Sequence, residues 1–352
     1  MDPERNILQR KERALHALLR QCGSVLVAYS GGVDSVYLAK AALDALGPGR
    51  VLAVTGRSAS YPEAQRAVAE TVADSIGLPR VEIDTQEVDD PRYAANPPDR
   101  CYFCKADLFD RLLVLAREHG CAVVLDGSNA DDLEDHRPGL IAARERGVRS
   151  PLQEVGLGKE EIRKLSRRAG LPTWDVPASP CLASRISYGT PVTRPRLRRI
   201  EEAESRLRSL AAWRQLRVRD HGELARLEID SGSLAGLVAP GPRGRVIEAL
   251  RDAGFSRACL DLGGYRRGAL NEGPVDGTQR GPGREGGRIG EVEGGLLELG
   301  IAARVESGGA DGEIAVLVGD GDAFAPLLVG AREAVVSRTR AAGFRYVALG
   351  LY

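Results

Sequence analysis

The stretch Val25-Leu26-Val27-Ala28-Tyr29-Ser30-Gly31-Gly32-Val33-Asp34-Ser35 decides the fold class of this chain. Val25 to Tyr29 is an apolar run rich in β-formers, long enough for one strand. Val33 to Leu46 then places apolar side chains at helical spacing. Between them, Gly31 and Gly32 permit a sharp turn and leave room beside the backbone. The helix aims its unpaired N–H groups and the positive end of its dipole into that room, which suits a phosphate. Ser30, Gly31, Gly32, Val33, Asp34 and Ser35 form the candidate cradle, with the hydroxyls of Ser30 and Ser35 as added donors. Asp34 cannot bind phosphate itself but can hold a Mg²⁺ that does. A Walker A loop would end in Gly-Lys-Ser/Thr, and this one does not.

Outward from the loop, strands and helices alternate. Ile7, Leu8, Leu15, Leu18 and Leu19 mark an amphipathic helix before the first strand. Val51 to Thr55 reads as a second strand, Pro62 to Ile76 as a helix and Val81 to Asp84 as a third strand. A helix from about Ala106 to Glu118 and a strand from Ala122 to Leu125 come next, then a helix from Lys159 to Ala169. This alternation predicts an α/β fold with a doubly wound parallel sheet over residues 1–190. Ligands bind at the C-terminal edge of such sheets. The loops opening at Thr55 and at Gly127, in Asp126-Gly127-Ser128-Asn129-Ala130-Asp131-Asp132, are therefore candidate ligand contacts.

From Pro195 the texture changes. A basic helix, two short strands (Gln215 to Arg219 and Leu224 to Ile229), a helix from Arg243 and a strand from Arg257 predict a smaller α+β domain over residues 191–272. Residues 273–290, rich in Gly, Pro and charge, read as a flexible linker. In residues 291–352, Ala342-Gly343-Phe344 and the strand after it echo Ala253-Gly254-Phe255 and its strand. This is a partial repeat of the small domain. No counterpart of Arg217-Val218-Arg219 is evident in it, so packing or oligomerisation is its expected role.

The chain has 352 residues, 43% hydrophobic, with a formal net charge of zero. That size suits two or three domains. Neutrality argues against nucleic acid as a partner, and no apolar run approaches membrane-spanning length. With a charged N-terminus and no signal-peptide core, a cytoplasmic location is expected. The six cysteines then read as metal, catalytic or inert rather than as disulfides.

Cys101 and Cys104 form a C-x-x-C pair at a helix N-terminus. A zinc site would want a second such pair, and a thioredoxin-like dithiol a different place in the fold. An iron–sulfur site could use these two with Cys181, whose Pro-rich loop should reach the ligand edge. Two buried structural cysteines are the plain alternative. Cys181, held on a stiff loop with Arg185 nearby to stabilise a thiolate, is the first candidate for a reacting group. Cys22, Cys121 and Cys259 lie in apolar patterns and read as inert core. Arg217 and Arg219 share one strand face by alternation and can form a fork for phosphate or carboxylate.

These landmarks carry a resemblance. The glycine loop resembles the PP-loop of ATP pyrophosphatases. The whole set from about Leu8 to Glu272 resembles the LarE-type ATP-dependent sulfur transferases of nickel-pincer nucleotide synthesis, the cofactor of lactate racemase. The set includes Arg100-Cys101-Tyr102-Phe103-Cys104-Lys105, Arg137-Pro138-Gly139, Pro180-Cys181-Leu182-Ala183-Ser184-Arg185 and Gly264-Tyr265-Arg266. The resemblance implies an adenine nucleotide α-hydrolase-like fold that binds ATP and Mg²⁺. It implies adenylation of a carboxylate of pyridinium-3,5-biscarboxylic acid mononucleotide, then displacement of AMP by sulfur to give a thiocarboxylate. It implies Arg217 and Arg219 on the substrate phosphate. The sulfur comes either from Cys181, consumed in the reaction, or through a [4Fe-4S] cluster on Cys101, Cys104 and Cys181; the presence of all three favours the cluster. A homo-oligomer is expected. The rivals are a tRNA-thiolating enzyme, which would need a basic RNA-binding surface, a GMP or NAD synthetase, which would not need Cys181, and a non-catalytic nucleotide-binding protein.

Overall fold

The computed structural model describes residues 3–133, 137–177, 179–238, 240–266, 268, 285–319, 324 and 327–352. The chain divides into two compact units. The first is Met1–Cys181 with Tyr188–Arg194, and the second is Leu182–Ser187 with Pro195–Tyr352.

The first unit is built on four parallel strands: β1 (Val25–Ala28), β2 (Val51–Arg57), β3 (Arg80–Asp84) and β4 (Val123–Leu125), in the order β3-β2-β1-β4. Its longer helices among the described residues are α1 (Pro3–Cys22), α2 (Val33–Leu46), α3 (Glu63–Ser75), α4 (Arg100–Glu118), α5 (Pro138–Glu145) and α6 (Lys159–Arg168). A parallel strand is covered on both faces, so its residues are apolar throughout. In β1, Val25 and Val27 join a core with Leu15, Leu19, Val36 and Leu38 of α1 and α2. Leu26, pointing the other way, packs with Phe109 and Leu112 of α4. Each such buried side chain contributes roughly 1.5–3 kcal/mol. The strand order reverses between β1 and β4, and a crevice opens beyond the strand ends at such a switch point. The α/β class expected from sequence is what the structure has.

The second unit holds a six-stranded mixed sheet: β5 (Leu216–His221), β6 (Leu224–Ile229), β7 (Arg257–Asp261), β8 (Arg304–Gly308), β9 (Ile314–Val318) and β10 (Tyr346–Gly350), in the order β5-β6-β7-β10-β9-β8. Its helices are α7 (Arg194–Leu210), α8 (Pro240–Asp252), α9 (Glu285–Glu298) and α10 (Arg332–Ala341). Strands from residues 191–272 and from 291–352 therefore lie in one sheet.

Two readings need correction. Most of the expected linker lies outside the described residues, but its last part, from Glu285, is already α9. Gly286, Gly287 and Gly290 made that stretch look like coil. Burial of Val292 and Leu296 further along supplies the packing that fixes it as helix. The short α5 also went unread, because its apolar residues, Leu140 to Ala143, are too few to show a period. No helix among the described residues is long and apolar enough to cross a membrane.

One buried ion pair ties α7 to the segment Leu182–Ser187. Arg185 donates from Nε to Glu204 Oε1 at 2.9 Å and from Nη2 to Oε2 at 3.1 Å, with both side chains almost wholly buried. Burial opposes the Glu204 charge, yet Arg185, Arg217 and Arg208 together hold its carboxyl below its ordinary value. The Glu204→Gln variant should lose about 3–5 kcal/mol, because a buried guanidinium is left without its counter-charge. A carboxylate with a lowered folded pKa stabilises above its unfolded value, near about 4.3, and that contribution fades as pH falls through the folded pKa. Urea melts at stepped acidic pH should therefore give a shallower pH slope for the variant than for the parent.

Candidate functional site

The loop between β1 and α2 takes the form its glycines allow. Gly31 has φ +66°, and a Cβ there would lie 2.6 Å from Ala69 Cβ of α3. Gly127, after β4, leaves no more room: its Cβ would sit 3.0 Å from the Ser35 nitrogen. Helix α2 opens at Gly32 with no side-chain cap. Ser35 Oγ donates to Gly32 O at 3.1 Å and accepts from the Ser30 N–H at 3.2 Å, so the loop is braced from within. Val33 faces the core, and its part in the cradle is its backbone. Thr55 is buried, and its hydroxyl donates to Tyr29 O at 2.9 Å. It was expected as a ligand contact; the structure uses its side chain to fix the end of β1.

Asp34 stands in the first turn of α2. One of its oxygens pairs with Lys159 Nζ, and the other, Oδ1, is buried with no hydrogen-bond partner. Burial pushes its carboxyl up and Lys159 pulls it back. An orphaned carboxylate oxygen at a helix N-terminus fits a Mg²⁺ ligand. Lys159 opens α6, and its N–H donates to Asp131 Oδ2 at 2.9 Å. The loop after β4 is itself wired: Asp126 Oδ1 accepts from Ser128 N at 3.1 Å and from Ser150 Oγ at 2.7 Å, and Asp132 Oδ2 accepts from Asn129 N at 3.0 Å. Lys159 was missed in the sequence. Its scarcity among 49 basic residues and its place straight after Gly158 were the available signals.

Cys101 and Cys104 lie in the first turns of α4. Burial pushes the Cys101 thiol up; Cys181 adds to that push and Arg100 opposes it. Burial also raises the Cys104 thiol, with Glu87, Cys181 and Cys101 adding to the effect. Cys181 thus bears on the charge of both. Among the described residues, no three His, Cys, Asp or Glu side chains are grouped so as to hold a metal ion. Glu87 bears on Cys104 and was not foreseen; Arg100 Nη1 donates to Asn96 Oδ1 at 2.7 Å. Asn96 has φ +56°, the left-handed conformation that non-glycine residues seldom adopt.

Arg217 and Arg219 lie on β5 in the second unit, both buried. Arg219 donates to Ser184 O and Glu228 Oε2, each at 2.6 Å. Arg217 donates to Leu216 O and lies over the Tyr265 ring at 5.3 Å. Burial, and then Arg185, push its guanidinium down to about 10, and Glu204 opposes the push. Arg185 was expected to stabilise a Cys181 thiolate; within its own unit its Nε and Nη2 pair with Glu204. Sequence could not foresee this, since Glu204 is one of several acids along α7.

No protein-family model matches the chain. It is similar to the pyridinium-3,5-bisthiocarboxylic acid mononucleotide synthase of Lactiplantibacillus plantarum, 36% identical over 75% of this chain and 95% of that protein. It is similar also to an uncharacterized protein of Synechocystis, 43% identical over 75% of this chain and 98% of the relative. A third, from Methanocaldococcus jannaschii, is 29% identical over 69% and 90%.

The Gly31→Ala variant should lose stability by about 1–3 kcal/mol, because it combines left-handed strain with a backbone clash. Thermal melting checks it, and Gly32→Ala, whose Cβ would meet only Ser30 Oγ at 3.5 Å, is the milder control.

Proposed function

The chain belongs to the LarE-type sulfur transferases, and on that premise we propose that it makes a thiocarboxylate from a carboxylate of pyridinium-3,5-biscarboxylic acid mononucleotide, using ATP. The observation that carries the ATP half is the uncapped N-terminus of α2, with the orphaned Oδ1 of Asp34 beside it. Its open N–H groups receive phosphate oxygens. Asp34 holds Mg²⁺, which neutralises phosphate charge when bound. Lys159 adds a fixed positive charge at the same point. Ser30 and Ser35 shape the loop and offer hydroxyls.

The substrate carboxylate oxygen attacks the α-phosphorus, and the bond to the β-phosphate oxygen breaks, releasing pyrophosphate. The carboxyl carbon now carries AMP, a good leaving group. Sulfur attacks that carbon and the C–O bond to AMP breaks, leaving the thiocarboxylate. Arg217 and Arg219, side by side on one strand face, bind the phosphate of the mononucleotide.

Cys101, Cys104 and Cys181 have the donor chemistry for a [4Fe-4S] cluster and would hold it through three irons. Bound there, the cluster would supply a sulfide as the nucleophile. A second reading is favoured by one observation: the described residues include no ready-made metal-holding group. On it, the Cys181 thiolate displaces AMP to form a thioester, and loss of the Cys181 α-proton with cleavage of its Cβ–S bond then leaves the thiocarboxylate on the substrate and dehydroalanine at position 181.

Anaerobic protein, reconstituted with iron and sulfide, is run with ATP and the dicarboxylic mononucleotide, and its intact apoprotein mass is taken afterwards. Thiocarboxylate with unchanged mass supports the cluster. Loss of one H₂S from the Cys181 peptide means a consumed cysteine. No product on either route overturns the proposed activity. The Asp34→Asn variant should slow substrate-dependent ATP–pyrophosphate exchange by on the order of 100-fold or more, the several kcal/mol a metal ion supplies. Arg217→Gln should raise KM for the mononucleotide roughly 10-fold or more while sparing KM for ATP, in keeping with a lost charge-assisted hydrogen bond; equal changes in both would remove Arg217 from substrate binding.

A further inference from the structure

The second unit repeats itself. Helix α7, β5, β6, α8 and β7 are followed by α9, β8, β9, α10 and β10 in the same order. In both halves the first two strands pair antiparallel, and the second pairs parallel with the third. The pairing registers give the equivalences directly. Leu227 faces Leu260 as Leu317 faces Leu349, and Arg217 faces Glu228 as Arg304 faces Val318. Details match as well. Glu204 Oε1 accepts from the Val218 N–H at 3.1 Å, and Glu293 Oε1 from the Val305 N–H at 2.9 Å. The glycines that end α8 and α10 have φ +95° and +91°. Arg304-Val305-Glu306 is thus the counterpart of Arg217-Val218-Arg219 that the sequence did not reveal.

The duplicate keeps the packing and drops the chemistry. Arg219 becomes Glu306, Arg226 becomes Val316, Glu228 becomes Val318 and Asp261 becomes Gly350. Even the retained arginine differs: Arg217 is buried and Arg304 exposed. A half that has lost the Arg226, Glu228 and Asp261 charges but kept its strand register is retained for where it sits.

Where it sits is a two-fold seam. Strand β7 pairs antiparallel with β10, with Leu260 opposite Leu349, its own equivalent. Asp261 faces Ala348 and Cys259 faces Gly350, which exchange under the same equivalence. Two backbone hydrogen bonds flank the seam as a symmetric pair, Leu262 N to Val347 O and Leu351 N to Ala258 O, both 2.9 Å. In such an isologous contact, residue i meets j and j meets i. We propose that residues 285–352 stand in for a second copy of the chain: they occupy the β7 edge that two shorter chains would otherwise pair across their own two-fold. The relatives, matched over nearly their whole length by three quarters of this chain, indicate that the shorter form exists by itself. An open β7 would be an unpaired edge, which proteins cover. Here Tyr346 also covers Arg226, its ring 3.6 Å from the guanidinium, and Glu313 reaches His221 at 3.1 Å.

The test compares full and shortened chains. A chain ending at Glu272 and carrying Leu260→Cys should run as a dimer by light scattering. It should form an interchain disulfide at position 260, mapped by peptide mass. The full-length Leu260→Cys chain should form no link at that position, and the full-length double variant, Leu260→Cys with Leu349→Cys, should link within one chain. Should the shortened chain not fold, full-length Leu349→Pro, whose β10 cannot complete the ladder, takes its place and should gain the 260–260 link when Leu260→Cys is added. The proposal fails if the freed β7 edge stays monomeric and unlinked. It fails equally if co-expressed full-length Leu260→Cys and Leu349→Cys chains cross-link to one another, since the edge would then be filled by exchange between copies.

Discussion

An α-helix cannot satisfy the N–H groups of its own first turn, and the first unit is organised around leaving those of α2 open. A side-chain cap would close them, and α2 has none. Holding an uncapped end at the edge of a sheet requires close support from neighbours that add no bulk. Gly31 turns under α3, and Gly127 lets the loop after β4 rest on the α2 backbone. Asp34 belongs to the same arrangement. Its half-satisfied carboxylate is tolerated in a buried place because Lys159 balances its charge.

The second unit treats charge in the opposite way. Its buried arginines are answered within the fold: Arg185 by Glu204, Arg219 by Glu228, and Arg226 by Glu228 and Asp261. Buried charges in such a network hold one another in place, and removing one strands the rest. Arg217 joins the network through Glu204, whose carboxylate it helps to keep ionised. In the duplicated half Val316, Val318 and Gly350 stand where Arg226, Glu228 and Asp261 are, so the strand register does not depend on those three charges.

Much was legible in the sequence because it was local. Val25 to Ser35 specifies strand, turn and helix through β-propensity, two glycines and helical spacing, all within about a dozen positions, and the structure has each where the pattern put it. The parallel sheet followed from alternation, and the echo of Ala253-Gly254-Phe255 in Ala342-Gly343-Phe344 marked a duplicated element. The cysteine trio could be named, though not how its members meet.

What only the tertiary structure decided are pairings between residues far apart in the chain. Lys159 meets Asp34 across 125 positions, Glu204 takes Arg185 across 19, and Leu349 falls opposite Leu260. No periodicity encodes such partners, since any of 49 acidic residues is chemically fit to answer an arginine. Which one does so depends on the distance left after the sheets have formed. Sequence therefore determined the elements and the chemical types available at the site. The fold chose the partners, because electrostatic pairing falls off over a few ångströms and only packing sets those.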